Sequence, residues 1–390
     1  MARGARHRLV IDGQALVDDH FSGVGQYASG VLRGLDELLA ERSDVDARIA
    51  VPVKRIPRLA PFRFRRIRPL AVPLPLSVQR RLIVGDRLPP MDRLFGRATY
   101  FFPNFVRWPL AGSPSVTAVH DLSFEVLPQF ADADNGRFLR RAVRRSVERS
   151  DRVTALTGTM ADEIATHYGT PRDRIDVVGC AVDRVRFYRR SAREVAEVTR
   201  AHGIYGDYVL SVGNIEPRKN QVRLIDAFCA LPREVAGDLT LVLVGAGAWR
   251  EHEIRARAQE AIDAGHRVKV LLGCVEDRHL AALYSGARCS AYVSVYEGFG
   301  MPPLESMACQ TPVVVSDASV MPEVAGGAAR LVDVSAPEPI AEGLRAVLEM
   351  DDGARAAMVE RGLANVDRYD WRDSAQVLLG SLATAGGWAR

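Results

Sequence analysis

Lysine is nearly missing from this 390-residue chain: Lys54, Lys219 and Lys269 are the three, so 49 of its 52 basic residues are arginine. The bias matches the codon usage of a GC-rich genome better than any function. Its corollary is that each lysine stands against the chain's own habit. Cysteine is scarce too. Cys180, Cys229, Cys274, Cys289 and Cys309 form no C-x-x-C pair, and an odd, scattered set supplies neither a zinc site nor a disulfide framework. They are expected to be buried and reduced, with no nucleophile among them. No stretch approaches the roughly 18 uninterrupted apolar residues of a membrane-spanning helix. The basic start, Met1-Ala-Arg-Gly-Ala-Arg-His7, leads into no apolar h-region, so export is not expected. The expected location is cytoplasmic, the inner face of a membrane included. Internal repeats and low-complexity tracts are also lacking.

What remains is ordinary globular composition, 47% hydrophobic and 26% charged with a net charge of +4. The length exceeds what one core usually supports, which predicts two domains. Residues 8–12 read as a short buried strand, followed by a glycine-bearing loop, Phe21-Ser22-Gly23-Val24-Gly25-Gln26-Tyr27, and a helix with Tyr27, Val31, Leu35, Leu38 and Leu39 on one face. Strand, glycine turn and helix open a nucleotide-fold domain. Further strands are expected at 47–53, 98–102, 115–119 and 153–156, with helices at 133–149 and 159–168. A second series follows residue 200, with strands near 208–213, 239–245, 268–272, 290–295 and 312–316 alternating with helices. This pattern predicts an α/β protein with two parallel sheets. The first domain is expected over 1–190 and the second over 200–368, with the polar, Arg-rich stretch 183–206 as the linker. The tail after Trp371, with a helix over Ser374 to Ala383, caps the second domain or crosses back to the first.

Four short stretches carry chemistry. In Glu297-Gly-Phe-Gly-Met-Pro-Pro-Leu-Glu305, two carboxylates bracket a turn and a helix start. Gly298 and Gly300 permit close backbone approach, and Pro302 or Pro303 suits a first helical turn. The helix start is a natural seat for phosphate oxygens. Glu305 would then face a neutral group such as ribose hydroxyls, and Glu297 the sugar. A capped helix with two surface glutamates would read the same way. In Gly213-Asn-Ile-Glu-Pro-Arg218-Lys219-Asn220, adjacent cations at a helix N-terminus oppose its dipole unless an anion such as a diphosphate arrives. The bland alternative is a solvated basic turn. His120-Asp121 ends a strand, where α/β sheets bind ligands, although a structural histidine would look no different. Gly23-Val-Gly25 lacks the full G-x-G-x-x-G spacing and is poor evidence for a dinucleotide site.

Together these stretches resemble glycosyltransferase family 4, retaining transferases of GT-B fold whose two Rossmann-like domains face each other across a cleft. The resemblance covers nearly the whole chain and leans to the mannosyltransferase-like subgroup. It implies that Arg218 and Lys219 stabilise a diphosphate leaving group without a metal, and that Glu297 contacts the donor sugar with the Phe299-Gly300-Met301 backbone. It further implies that Glu305 binds ribose, that the turn at Gly273-Cys274-Val275-Glu276 holds the base through main-chain atoms, and that His120 contacts the sugar. Gly23, Gly25, Asn214, Val275 and Leu304 join the donor-binding set, and the helix over 371–390 crosses back to the first domain. No cofactor and no enzymic nucleophile is implied. Two departures stand out: Gln310 replaces the usual glycine after the motif helix, which predicts a strained or reshaped end, and Gly327 replaces a common aspartate.

The expected activity is a hexosyltransferase using a GDP- or UDP-linked sugar, with GDP-mannose favoured, and a saccharide, lipid-linked or natural-product acceptor. A nucleotide-sugar epimerase or hydrolase of similar two-domain fold is the main rival, and a non-catalytic nucleotide-sugar-binding protein a third. Between Lys54 and Arg97 lie twelve basic residues, and Arg137, Arg140, Arg141, Arg144, Arg145 and Arg149 recur on a predicted helix. Docking on anionic lipid or on a phosphate-linked acceptor, and simple arginine bias on solvated faces, explain these runs equally. Nucleic acid is not expected, since no binding motif accompanies them.

Overall fold

The computed structural model describes residues 7–19, 23–75, 78–79, 82–83, 89–130, 133–273 and 275–388. Cys274, Phe21, Ser22, the first six residues and Arg80, Arg81, Asp86 and Arg87 of the basic segment lie outside the described residues. Contacts divide the chain into one unit of Met1–Cys180 with Asp370–Arg390 and a second of Ala181–Tyr369.

The first unit is built on β1 (His7–Asp12), β2 (Val45–Pro52), β3 (Arg68–Val72), β4 (Thr99–Phe102), β5 (Ser115–Ala118), β6 (Arg152–Ala155) and β7 (Ile175–Val177). They form one parallel sheet in the order β3-β2-β1-β4-β5-β6-β7. Central strands such as β4 and β5 are buried throughout, as parallel strands covered on both faces must be. Their near-continuous apolar runs are what made them readable. The edge strands β3 and β7 escaped the sequence reading: β3 opens with exposed Arg68 and Pro69, and β7 has only three residues.

The helix Gly23–Ala40 begins at Gly23, so Gly23 and Gly25 occupy its first turn instead of a preceding loop. Its buried Asp36 accepts backbone N–H bonds from Arg65, Arg66 and Ile67 at 2.7–2.8 Å. Asp36 thereby shapes the Arg-rich loop through its main chain. The final helix Trp371–Gly386 belongs to the same unit and packs on Gly23–Ala40. Asp370 caps it, accepting from Arg372 N at 2.7 Å and Asp373 N at 3.2 Å. Glycines make the close crossing possible: a Cβ on Gly30 would stand 2.3 Å from Trp371 Cε2.

The second unit carries β8 (Tyr208–Val212), β9 (Thr240–Gly245), β10 (Val268–Leu272), β11 (Cys289–Tyr292), β12 (Val313–Ser316) and β13 (Arg330–Val332), a parallel sheet in the order β10-β9-β8-β11-β12-β13. Its core joins Val209, Leu241, Leu243 and Val314 to Leu224, Ile225, Ile254, Ile340 and Leu344 of the covering helices. The stretch expected as a linker is different in the structure. Residues 181–206 belong to this unit, and Ala192–Ala201 is a helix with a full capping box between Ser191 and Glu194. None of its residues is fully buried, so its apolar signal was weak, but Ser191-x-x-Glu194 was a start signal visible in the sequence.

Among the described residues no helix is long and apolar enough to cross a membrane. Cys180, Cys289 and Cys309 are buried, Cys229 is half-buried, and all four are free thiols.

Gly30→Ala should lower stability by about 1–3 kcal/mol, the usual range for forcing a methyl into a packed interface. The denaturant midpoint of the variant checks this. An unchanged midpoint would mean that the two helices separate at little cost.

Candidate functional site

In a doubly wound sheet the crevice forms where the strand order reverses. In the second unit this is the β8/β11 pair, since the chain runs outward from β8 to β10 and then returns to β11 on the other side. The loops leaving those two strands carry the two most specific sequence motifs. After β8 comes the short 3-10 turn Pro217–Lys219, then Asn220 in a left-handed conformation (φ 60°), then the helix Gln221–Cys229. After β11 comes Glu297, then Gly300 at φ 94°, a region that glycine enters readily, then the helix Met301–Ala308.

Glu297 binds both cations of the first loop. Its Oε1 lies 2.5 Å from Lys219 Nζ and its Oε2 3.0 Å from Arg218 Nη1. Arg218 also meets Glu216 at 2.7 Å and donates to Tyr296 O at 2.8 Å. Lys219 donates to the Tyr292 hydroxyl at 2.7 Å, with the Tyr292 ring centre 4.9 Å from its Nζ. The side chains of Arg218, Lys219 and Glu297 are 18%, 12% and 9% exposed, so neither a solvated basic turn nor a surface glutamate describes them. The anion that the adjacent cations require is supplied within the chain by Glu297. Burial alone would raise the Glu297 carboxyl. The opposing charges of Arg218 and Lys219 outweigh it and bring the group down to about 2. Burial lowers the Lys219 ammonium, with Arg218 adding to the effect and Glu297 opposing it.

The main chain of Glu297 is clasped by Ser319, whose hydroxyl donates to Glu297 O at 2.8 Å and accepts from Glu297 N at 3.4 Å. Ser319 adopts φ 53° to do so. The helix Met301–Ala308 has prolines at two of its first four positions, so only Met301 and Leu304 carry N–H groups there. Leu304 is fully buried beneath that turn. Phe299 is also buried and sits edge-on to Tyr369 with ring centres 5.4 Å apart.

Glu305 lies in the same helix, buried, and accepts from the Tyr284 hydroxyl at 3.1 Å. Burial pushes its carboxyl up to about 7, the Tyr284 hydrogen bond opposing. The two glutamates of one motif are therefore shifted in opposite directions by their surroundings. Gln310 occupies the left-handed position after this helix at φ 60°, and Gln310 N to Met307 O with Thr311 N to Ser306 O completes a Schellman ending. Glycine's absence there reshapes nothing; the glutamine takes up the strain. Gly326 and Gly327 both have positive φ, at 56° and 78°.

Asn214 is exposed, and its carbonyl accepts from Gln221 Nε2 at 3.0 Å. Val275 is half-buried in the turn after β10, where Gly273 N donates to Gly245 O at 2.9 Å. Gly23, Gly25 and His120 belong to the first unit. His120 is buried beside Tyr27, ring centres 4.9 Å apart, and Phe105, at 5.0 Å. Its Nε2 lies 2.7 Å from Pro103 O. A carbonyl only accepts, so Nε2 carries the proton and Nδ1 is left as an acceptor. Burial also lowers the His120 pKa, favouring this neutral ring. Asp121 accepts from Ser123 N at 2.9 Å and the Ser123 hydroxyl at 2.7 Å, closing a turn. Tyr292, Tyr284 and Ser319 were not singled out in the sequence. A tyrosine inside the small-residue strand Cys289–Tyr292 was the one available hint, because a buried phenol needs a partner.

Two family models match the chain: "Glycosyltransferase Family 4" over residues 22–186 and "Glycosyl transferases group 1" over residues 200–364. The O-antigen chain mannosyltransferase B of Escherichia coli is 31% identical over 70% of this chain and 71% of its own length. A GDP-mannose-dependent alpha-(1-6)-phosphatidylinositol dimannoside mannosyltransferase of Mycobacterium tuberculosis is 29% identical over 86% of this chain and 82% of its own. The crystal structure of Anabaena HepE in complex with UDP and glucose superposes with TM-score 0.70 at 18% identity, covering 97% of this chain and 100% of that one. The two parallel sheets and this likeness define the GT-B fold, and the family models and the 31% identical relative define a glycosyltransferase. The chain belongs to glycosyltransferase family 4.

Glu305 costs stability whenever it is ionised. Its folded pKa, about 7, lies above the ordinary 4.5, so its contribution is fully present below pH 4.5 and is lost as pH rises through 7. Glu305→Gln should therefore raise the melting temperature relative to the parent at pH 8 and change it little at pH 5. Equal shifts at both pH values would refute the raised carboxyl.

Proposed function

We propose that this glycosyltransferase moves a hexose, mannose by preference, from a nucleoside-diphosphate donor to a hydroxyl of a saccharide, lipid-linked or natural-product acceptor, with retained configuration and without a metal. One observation carries the reading: Glu297 held between Arg218 and Lys219 at the reversal point of the second sheet. Both relatives are named mannosyltransferases, which supports mannose, and the name of one specifies GDP-mannose as donor.

A diphosphate arriving at Arg218 and Lys219 competes with Glu297 for the same N–H donors. The phosphate oxygens take those donors, and Glu297 turns a carboxylate oxygen to a sugar hydroxyl. Main-chain groups of Phe299, Gly300 and Met301 line the sugar's path, with Leu304 supporting the turn. Glu305 meets the ribose, Val275 the base through its backbone, and Asn214 the phosphate side. Gly23 and Gly25, in the first turn of their helix, join the donor-binding set, and His120 contacts the sugar. In the transfer the acceptor oxygen bonds to the anomeric carbon as the bond from that carbon to the diphosphate oxygen breaks. The departing diphosphate keeps the electron pair and receives the hydroxyl proton. Arg218 and Lys219 stabilise the charge that builds on it, the electrostatic contribution that dominates many such reactions. Peripheral contact of the arginine-bearing helix Ala133–Arg149 with anionic lipid is part of the same proposal.

Release of nucleoside diphosphate from a panel of GDP- and UDP-sugars, with and without acceptor glycans, tests this directly. Release only with acceptor, unaffected by EDTA, is the expected outcome. Activity abolished by EDTA and restored by magnesium or manganese would overturn the metal-free reading, and isomerised donor without transfer would favour an epimerase.

Lys219→Ala should cost about 2–4 kcal/mol of transition-state stabilisation, comparable to losing one oxyanion donor. Lys219→Arg should recover part of it, because the guanidinium places its charge differently. Unchanged kcat/KM in Lys219→Ala would remove this residue from the mechanism.

A further inference from the structure

Tyr292 ends β11, an interior strand paired with β8 and β12 whose other residues, Cys289, Ser290 and Ala291, are small. It is 5% exposed. Its ring has the two site turns at its two edges: a Cβ on Gly213 would stand 3.7 Å from Cε2, and one on Gly300 3.5 Å from Cε1. Packing of that kind needs a ring and no hydroxyl. A phenol oxygen taken out of water is costly unless it is bonded.

The bond it makes is to Lys219. The ammonium stands 2.7 Å from the hydroxyl oxygen and 4.9 Å from the ring centre, so the contact is a hydrogen bond before it is a cation–π one. An ammonium only donates, so the phenol oxygen accepts, and the phenol hydrogen is left for the Glu297 carboxylate beside it. Burial first and the Glu297 charge next hold the phenol well above its ordinary value, with Arg218 and Ser294 opposing, so it stays neutral. The charged groups facing Lys219 are Glu297, Arg218 and Glu216. Its two bonded partners therefore differ in kind. Glu297 is an anion that competes with any phosphate for the ammonium, whereas the neutral phenol keeps its hydrogen bond as an anion enters.

We propose that Tyr292 is a positioning residue for the transfer: its hydroxyl holds the Lys219 nitrogen in place when the diphosphate draws that ammonium away from Glu297. The proposal rests on the transferase reading, and the first of its two tests needs no activity. The chain has three lysines in three surroundings: Lys54 is exposed, Lys269 donates to Gly203 O at 3.0 Å, and Lys219 meets Tyr292 and Glu297. NMR of the full chain isotope-labelled at lysine Cε follows each of them, with Lys219→Arg assigning the signal of interest. In Tyr292→Phe the Lys219 signal should titrate at lower pH than in the parent, because the ammonium has lost an acceptor, while Lys54 and Lys269 stay in place.

The second test is kinetic. Tyr292→Phe should lower kcat for nucleoside diphosphate release about tenfold, the scale of one hydrogen bond to a charged group, and change KM for the donor less than about threefold. On a Lys219→Ala background the same substitution should cost less than about twofold, since it acts through Lys219. Circular dichroism and melting temperature report folding. Should Tyr292→Phe misfold, Tyr292→3-fluorotyrosine keeps ring and hydroxyl with a poorer acceptor oxygen, and should move the Lys219 signal the same way. A Lys219 signal that titrates as in the parent, a loss carried by KM alone, or an equal loss in both backgrounds would overturn the proposal. A parent that releases no nucleoside diphosphate from any donor would instead sink the transferase reading, and the lysine titration would still decide the hold of Tyr292 on Lys219.

Discussion

Glu297 shared between Arg218 and Lys219 ties the loop after β8 to the loop after β11, and the architecture of the second unit's crevice depends on it. Two cations and the carboxylates of Glu216 and Glu297 form a nearly neutral cluster out of bulk water. Removing one partner from such a cluster leaves an uncompensated buried charge, which costs far more than the pair contributes. The neighbouring backbone bends to keep it: Asn220 and Ser319 both accept left-handed conformations, and Ser319 clasps Glu297 by both its N–H and its carbonyl. Gly300, at φ 94°, then turns the chain into the helix Met301–Ala308. A network whose partners are satisfied within the fold holds both loops in one arrangement.

How much of this could be read from the residues divides along a physical line. Central strands were legible because burial on both faces writes itself as an apolar run. Strands β3 and β7 and the helix Ala192–Ala201 were not, because elements at an edge or on a surface carry no such requirement. In the site, Arg218, Lys219, Glu297 and Glu305 stood out through local spacing next to glycine and proline. Their partners Tyr292, Tyr284 and Ser319 did not, since a contact between residues 219 and 292 is made by strand order alone. Asp12 was read only as the polar end of a strand, and nothing local signals that its carboxyl borders a cavity.

The arginine-rich stretches illustrate the opposite error that composition invites. The Arg65-Arg66 backbone serves Asp36, Arg140 donates to Phe124 O at 2.9 Å, and Arg144 lies 5.1 Å from the Tyr168 ring centre. Part of each basic run is therefore structural. Arg141 and Arg149 remain exposed on the same helix, while Arg137 pairs with Asp134.

The same arginine habit gives residue 219 its meaning. Arginine stands at 49 of 52 basic positions, and at position 219 the chain has the compact ammonium instead, with three diverging N–H donors in place of a planar fork. Lys219 sends one donor to the Tyr292 hydroxyl and one to Glu297, and its Nζ rests near the ring of the same tyrosine. Among the described residues, that accounts for two of its three donors. Arg218, immediately before it, plays the complementary part, since its fork spans Glu216, Glu297 and Tyr296 O and fixes the loop. The fork makes the frame, and the point charge ties it to Glu297 and to Tyr292.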